Sequence, residues 1–322
     1  MLQYLILLLD DASTSYCHYK APTGFSKGER RLIPLQALKD GIRFGMKENL
    51  MIQFVYPDYD IPQEYKDVVE SIDHSKIKSL LPTSPDMGGD DAEADIIVAN
   101  DWKIWPKESK VPIVLRTSKA DFLARYREVV PLLSKAPRVS VVFTDVETWT
   151  DADFDTYKTV LSELAKELER LFVEGKTPQL NLLTDRMMLT QMNNCGAGDT
   201  TITLAPNGRF YVCPAFYYED ETDSIGDLKQ GLDIKNKQLY KLAYAPICRH
   251  CDTYQCKRCV WLNRKLTLEV NTPGREQCVM AHLERNASRE LLLAIRKHGT
   301  FMPETEIKEI DYIDPFDKRE EW

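Results

Sequence analysis

Seven of the eight cysteines fall between Cys195 and Cys278, at spacings that suit metal ligation. Twelve residues separate Cys195 from Gly208, and four separate Gly208 from Cys213. Then comes Cys248-x2-Cys251-x4-Cys256-x2-Cys259, with eighteen residues between Cys259 and Cys278. Thiolates bind soft and borderline metals, and two cysteines two residues apart can turn both sulfurs onto one ion. Four thiols within twelve residues exceed what core packing asks for. Cys17 stands apart near the N-terminus. His250 lies inside the dense block and reads as a surface side chain. Tyr254 and Trp261 read as packing aromatics rather than chemical groups.

Composition narrows the class. The 322 residues, 43% of them hydrophobic, allow one large core or two modest ones. A net charge of -8 and a pI near 5.3 point away from nucleic acid. The segment 241–276 runs the other way, with seven Lys and Arg against Asp252, Glu269 and Glu276. Such a basic region offsets thiolate charge, attracts an acidic peptide, or is simply a solvated face. No run is long enough to span a bilayer. Leu5–Leu9 is apolar but short, lacks a basic flank and ends in Asp10-Asp11, so no secretory signal is read there. A cytoplasmic location is expected, where thiols stay reduced and serve metals rather than disulfides.

The elements that must position these sulfurs change character along the chain. Strands are predicted at Tyr4–Leu9, Met51–Tyr56, Asp95–Ala99, Pro112–Arg116, Val139–Thr144 and Leu180–Thr184. Helices are predicted at Leu35–Glu48, Gln63–Ile72, Ala120–Leu133 and Asp153–Val173. Continuous apolar runs flanked by helices mean parallel strands covered on both faces. The fold class is α/β, about six βα units fitting a partial (β/α) barrel or a doubly wound sheet. Beyond residue 187 a hairpin is expected, with Thr201–Leu204 and Arg209–Val212 flanking Pro206-Asn207-Gly208. A helix follows at Val279–Lys297. The predicted domains are 1–186, a barrel; 187–300, a small Cys-rich α+β unit with a C-terminal helix; and 301–322, an acidic arm, peripheral or partly disordered.

The order Cys195-Gly-Ala-Gly, Leu204-Ala-Pro-Asn-Gly-Arg-Phe-Tyr-Val-Cys213-Pro, Ile225-Gly-Asp-Leu and the dense cysteine block resembles the SPASM domain. That is the auxiliary iron–sulfur domain of radical-SAM peptide maturases and related enzymes. The resemblance implies two [4Fe–4S] clusters in crossed chain order. Cys195, Cys213 and Cys259 would hold the first, its fourth iron site open or filled from elsewhere. Cys248, Cys251, Cys256 and Cys278 would hold the second. Both inner gaps of the dense block, four residues and then two, are one residue shorter than in the family's usual pattern. Zinc competes for the same sulfurs, because tetrahedral S4 geometry suits both.

A radical-SAM barrel carries CxxxCxxC on the loop after its first strand. Here that loop reads Asp10-Asp-Ala-Ser-Thr14-Ser-Tyr-Cys17-His-Tyr. With Cys17 in the third position, Asp10 and Thr14 occupy the first and second, so only a remnant site is expected. Binding of S-adenosylmethionine (SAM) is not expected. The glycine-rich SAM motif is missing after the second strand, and Gly88-Gly-Asp90 is too weak a signal to replace it. The whole chain resembles degenerate radical-SAM/SPASM proteins called CXXX repeat peptide maturases. The opening Leu-Leu-Asp-Asp to Cys-His-Tyr, the stretch Met46–Pro57 and the block Cys256–Lys265 carry that resemblance.

Three functions follow as expectations. The first is maturation of a short ribosomally made Cys-repeat peptide, the barrel serving as scaffold or pseudo-enzyme beside an active maturation enzyme. The second is a non-enzymatic, zinc-stabilised peptide-binding or scaffold protein. The third is electron relay alone. Metal that merely staples a loop-rich domain underlies all three as the simplest role. No Ser/His/Asp set, P-loop or dinucleotide fingerprint is present.

Overall fold

The structure, a computed structural model, describes residues 1–18, 31–80 and 94–317. Gly88-Gly-Asp90 lies outside the described residues. Six parallel strands form the backbone of the fold: β1 (Tyr4–Leu8), β2 (Met51–Val55), β3 (Ser75–Ser79), β4 (Ile96–Ala99), β5 (Ile113–Thr117) and β6 (Val139–Phe143). Beyond β1 the sheet continues into β7 (Thr201–Leu204), parallel to β1, and β8 (Phe210–Tyr211), antiparallel to β7. The spatial order is β6-β5-β4-β3-β2-β1-β7-β8. The helices are α1 (Leu35–Lys47), α2 (Gln63–Val69), α3 (Lys119–Arg125), α4 (Asp151–Val173), α5 (Asp185–Met188), α6 (Pro214–Glu219), α7 (Val260–Thr267) and α8 (Arg275–Arg296). This is the expected α/β architecture, a partial barrel followed by a Cys-rich region with a C-terminal helix. Among the described residues no helix is long and apolar enough to cross a membrane.

Strand alternation decides what faces inward. In β1, Leu5 and Leu7 turn toward α1, while Tyr4 and Ile6 face a central cavity. Helix α1 approaches closely because it carries glycine at Gly41 and Gly45. A Cβ built at Gly41 would sit 2.3 Å from Leu204, and one at Gly45 2.7 Å from Ile52. Helix α4 opens on a capping box formed by Thr150 and Asp153 and packs along α8.

Three expectations need correction. Leu180–Thr184 is not a strand: only Leu180 bridges to Val139. The Asn181 side chain takes the place of a neighbouring backbone, accepting from Val141 N–H (2.8 Å) and donating to Val141 C=O (2.9 Å). Thr184 Oγ1 then closes the turn back onto Leu180. The sixth parallel strand is instead β3, whose Ser-Lys-Ile-Lys-Ser sequence has a single apolar residue. The helix expected over 120–133 breaks at Tyr126 into a tighter 3-10 run containing Pro131, which has no N–H to continue an α-helix. The described part of the arm is tied back to α8. Lys308 C=O accepts from Arg285 (2.6 Å), Asp314 pairs with Arg275 (2.9 Å), and Ile307 is buried.

Candidate metal centre and cavity

The inward positions of the barrel strands wall a cavity of about 520 Å³. Tyr4, Ile6, Gln53, Val114, Ser140 and Val142 supply its barrel side. Cys17, Cys195, Cys213, Cys256 and Cys259 line it as well. All eight cysteines are free thiols.

The sulfurs fall into two groups. Cys213 is the N-cap residue of α6, with Pro214 at the first helical position, and Cys259 is the N-cap of α7. Cys195 precedes a tight turn in which Gly196 C=O accepts from the N–H groups of Asp199, Thr200 and Thr201. Gly196 holds φ +64 there, a backbone only glycine adopts freely. Burial raises the Cys213 thiol well above its usual range, and repulsion from Cys17, Cys259 and Cys195 adds to it. Burial likewise raises Cys259, with Cys195 and Cys17 as its charged neighbours; the Trp261 and Leu262 amides at the start of α7 relieve it. Burial pushes Cys17 up to about 12; Ser15 relieves it and Cys195 repels it.

The second group comprises Cys248, Cys251, Cys256 and Cys278. Burial raises Cys248 to about 12 and Cys256 to about 11, each with further repulsion from Cys251. Cys278, in the first turn of α8, is raised by burial and then by Cys256, Cys248 and Cys251. Cys251 is the exception: burial raises it, but His282, Thr253 and the Thr253 amide together bring it below its usual value. Its thiol lies 3.0 Å from Thr253 Oγ1 and 3.9 Å from His282 Nε2. The other ring nitrogen, His282 Nδ1, meets Cys278 C=O at 2.8 Å.

The donor sets fit metal chemistry. Thiols kept protonated by burial release those protons when a cation binds, so affinity is pH-dependent. Among the described residues, no group of three or more His, Cys, Asp or Glu is arranged to hold a metal ion directly. A cubane cluster, with thiolates around its corners, asks for wider separation than one zinc with sulfur at about 2.3 Å.

The loop after β1 is divided. Cys17 lines the cavity; Asp10 and Thr14 are not among its walls. Asp10 is fully buried and accepts from Ala12 N–H (2.7 Å) and the Tyr59 hydroxyl (2.7 Å), so its carboxylate serves the turn. Asp11 bonds the Tyr217 hydroxyl and pairs with Arg31 at 3.2 Å. His250 is exposed, as expected. Trp261 donates to Glu219 (2.7 Å), and Tyr254 lies under the Arg186 guanidinium, 4.4 Å from the ring centroid.

Sequence reasoning missed four side chains. His282 was signalled by its i,i+4 spacing from Cys278 on one helix face. Buried Arg116 donates to Cys17 C=O (3.3 Å) and Asn100 Oδ1 (3.1 Å); nothing in a lone arginine on a strand announces that. Fully buried Arg285 grips Asp252 through two bonds (2.9 and 2.6 Å) and so anchors the loop carrying Cys251. Glu284 lines the cavity and accepts from the Tyr157 hydroxyl (2.9 Å). Burial raises its carboxyl to about 8, with Asp185 adding repulsion.

No protein-family model matches the chain, and no curated protein matches it. Solved structures do. Histidine-tagged anSMEcpe with bound AdoMet, an anaerobic sulfatase-maturating enzyme, aligns over 91% of this chain and 96% of its own, at 11% identity and a TM-score of 0.62. Native anSMEcpe with bound AdoMet and the Cp18Cys peptide aligns over 91% and 99%, at 13% identity and a TM-score of 0.58. The chain therefore shares the overall fold of these structures.

Proposed function

We propose that this chain is an accessory peptide-maturation protein that docks a Cys-containing precursor against auxiliary iron–sulfur clusters. The observation that carries this is the shared cavity: barrel strands form one wall, and sulfurs from both cysteine groups reach another. In this reading residues 1–186 form the scaffold barrel, 187–300 the cluster-holding unit and 301–322 an arm. Cys195, Cys213 and Cys259 bind the first [4Fe–4S] cluster. Cys248, Cys251, Cys256 and Cys278 bind the second. When bound, the clusters would supply redox-active iron. The chain's own residues orient the peptide: Glu284, protonated near neutral pH, offers a hydrogen-bond donor, and Lys257 a cation. A peptide bound to the solved relative supports a peptide here, and a Cys-repeat precursor matches the thiol-rich site.

With Asp10 committed to its turn and Thr14 a poor iron ligand, the loop after β1 lacks a SAM-cluster ligand set. Chemistry on the peptide then belongs to an active partner enzyme. The test is anaerobic reconstitution followed by iron and sulfide analysis, SAM titration and peptide binding. About eight iron per chain, a charge-transfer spectrum, peptide binding and no stoichiometric SAM binding are expected. Tight SAM binding or reductive SAM cleavage overturns the accessory role.

One observation favours a second reading. His282 Nε2 faces Cys251 while Nδ1 is held by a backbone carbonyl, the arrangement used by metal-bound histidines. A zinc-stabilised, non-enzymatic peptide-binding module would use that histidine with neighbouring thiolates. Colourless protein carrying zinc after the same purification selects it.

A further inference from the structure

We infer that Cys17, the cysteine of the loop after β1, is the fourth thiolate of the site formed by Cys195, Cys213 and Cys259. The inference rests on the iron–sulfur reading above and deepens it. The site then closes on protein sulfur drawn from both halves of the chain, and no iron in it is left for SAM or a substrate thiol.

Placement comes first. Cys17, Cys195, Cys213 and Cys259 all line one cavity, which Cys256 of the second group also reaches. The loop bearing Cys17 is bonded directly to α6, the helix that Cys213 caps: the Tyr217 hydroxyl meets Asp11, and the Tyr218 hydroxyl donates to Ser13 C=O at 2.6 Å. Ser13 Oγ in turn donates to Val55 C=O (2.7 Å), fixing the loop to β2. Arg116 holds the Cys17 carbonyl from the barrel side. The loop is thus held at Asp11, at Ser13 and at the Cys17 carbonyl, and Cys17 lines the cavity with its Sγ 3.6 Å from Ser15 Oγ.

The carboxylates of the described part of the loop, and one ring nitrogen of His18, are engaged. Asp10 and Asp11 are tied into hydrogen bonds and an ion pair, and His18 Nδ1 lies 3.3 Å from Phe143 C=O. A fourth thiolate adds one negative charge, beside which Arg116 lies.

The experiment uses the full chain, reconstituted anaerobically. A [4Fe–4S] cluster with an iron lacking a cysteine ligand binds cyanide when reduced and loses that iron on mild oxidation. Paramagnetic resonance reads both: a cyanide-shifted reduced signal and a [3Fe–4S] signal after ferricyanide. The parent protein is expected to show neither. Cys17→Ala and Cys17→Ser are expected to show both, or to lose about half the iron, with circular dichroism unchanged. A parent that is already cyanide-sensitive overturns the assignment without recourse to any variant. So do variants that match the parent, or a His18→Gln variant that opens the site in their place. These results would leave the cluster reading standing; a parent that takes up no iron sinks both.

Discussion

The two sulfur groups are built in opposite ways. The second is local: Cys248, Cys251 and Cys256 lie within nine residues, and Cys278 joins from the start of the next long helix. The first collects Cys195, Cys213 and Cys259 from three separate loops, with Cys17 brought beside them from the far end of the chain. Their supports differ accordingly. The second is braced by ion pairs to α8 and the arm. The first depends on β7 pairing with β1, which sets the later segments against the loop that follows β1. A local site survives loosening of the barrel; a composite site does not.

The largest effect is expected where the second group is braced. Arg285 is completely buried, and its guanidinium bridges Asp252, beside Cys251, to the Lys308 carbonyl in the arm. Removing one partner of such a pair costs about 3–5 kcal/mol, because the other charge remains partly desolvated. Asp252 keeps a weaker contact with Arg186 at 3.2 Å and is about a third exposed (34%), so the low end applies. Arg285→Met, which preserves volume, should lower the denaturation midpoint strongly and disturb the spectrum of the second site first. An equal disturbance of both sites would break the contrast between local and composite construction.

A smaller effect is expected at the wall between the groups. Glu284 sits among Tyr157, Asp185, Gln255 and Lys257, and its carboxyl is raised from 4.5 to about 8, chiefly by burial. Between those values the folded chain holds a proton that the unfolded chain releases. Stability from this group is full below about pH 4.5 and is lost as pH rises through about 8. Glu284→Gln should flatten the fall in stability between about pH 5 and pH 8 and leave the variant the more stable at the upper end. Parallel pH profiles for parent and variant would show that Glu284 is ionised in the fold.

Legibility in the sequence follows the same contrast. Short-range spacing announced the second group, because a CxxC pair and a nearby third cysteine meet without help from the rest of the fold. The place of Cys17 was not legible, since its neighbours arise from a strand pairing across nearly two hundred residues. Strand counting had a similar blind spot. Six parallel strands were expected before residue 187 and, among the described residues, six are present there, yet Leu180–Thr184 read as a strand from its leucines and β3 did not from its lysines. The Asn181 side chain, which imitates a backbone edge, has no periodic signal. The hairpin turn was legible through Gly208, which holds φ +76, while Asn207 contributes by accepting from Arg209 N–H (3.0 Å).

The smallest expected effect tests the composite group at its seam. The Tyr217 hydroxyl contacts both Asp11 and Arg31, linking α6 to the loop after β1, and burial raises its own ionisation well out of range. Tyr217→Phe removes one hydroxyl and leaves the ring packed against Tyr211 and Tyr218. Loss of a buried hydrogen bond to a charged group costs about 1.5–3 kcal/mol. The pair of Asp11 with Arg31 remains and holds the variant near the lower figure. Global stability should therefore fall modestly. The seam should loosen more than the stability does, because it would then rest on Tyr218 and on the Arg31 bridge from Asp11 to Glu221. Hydrogen exchange should quicken at residues 10–17 and at α6, with α8 and the loop 248–256 unchanged. Exchange that quickens equally at α8 would mean the two sulfur groups stand on one common support, and the contrast between them would be lost.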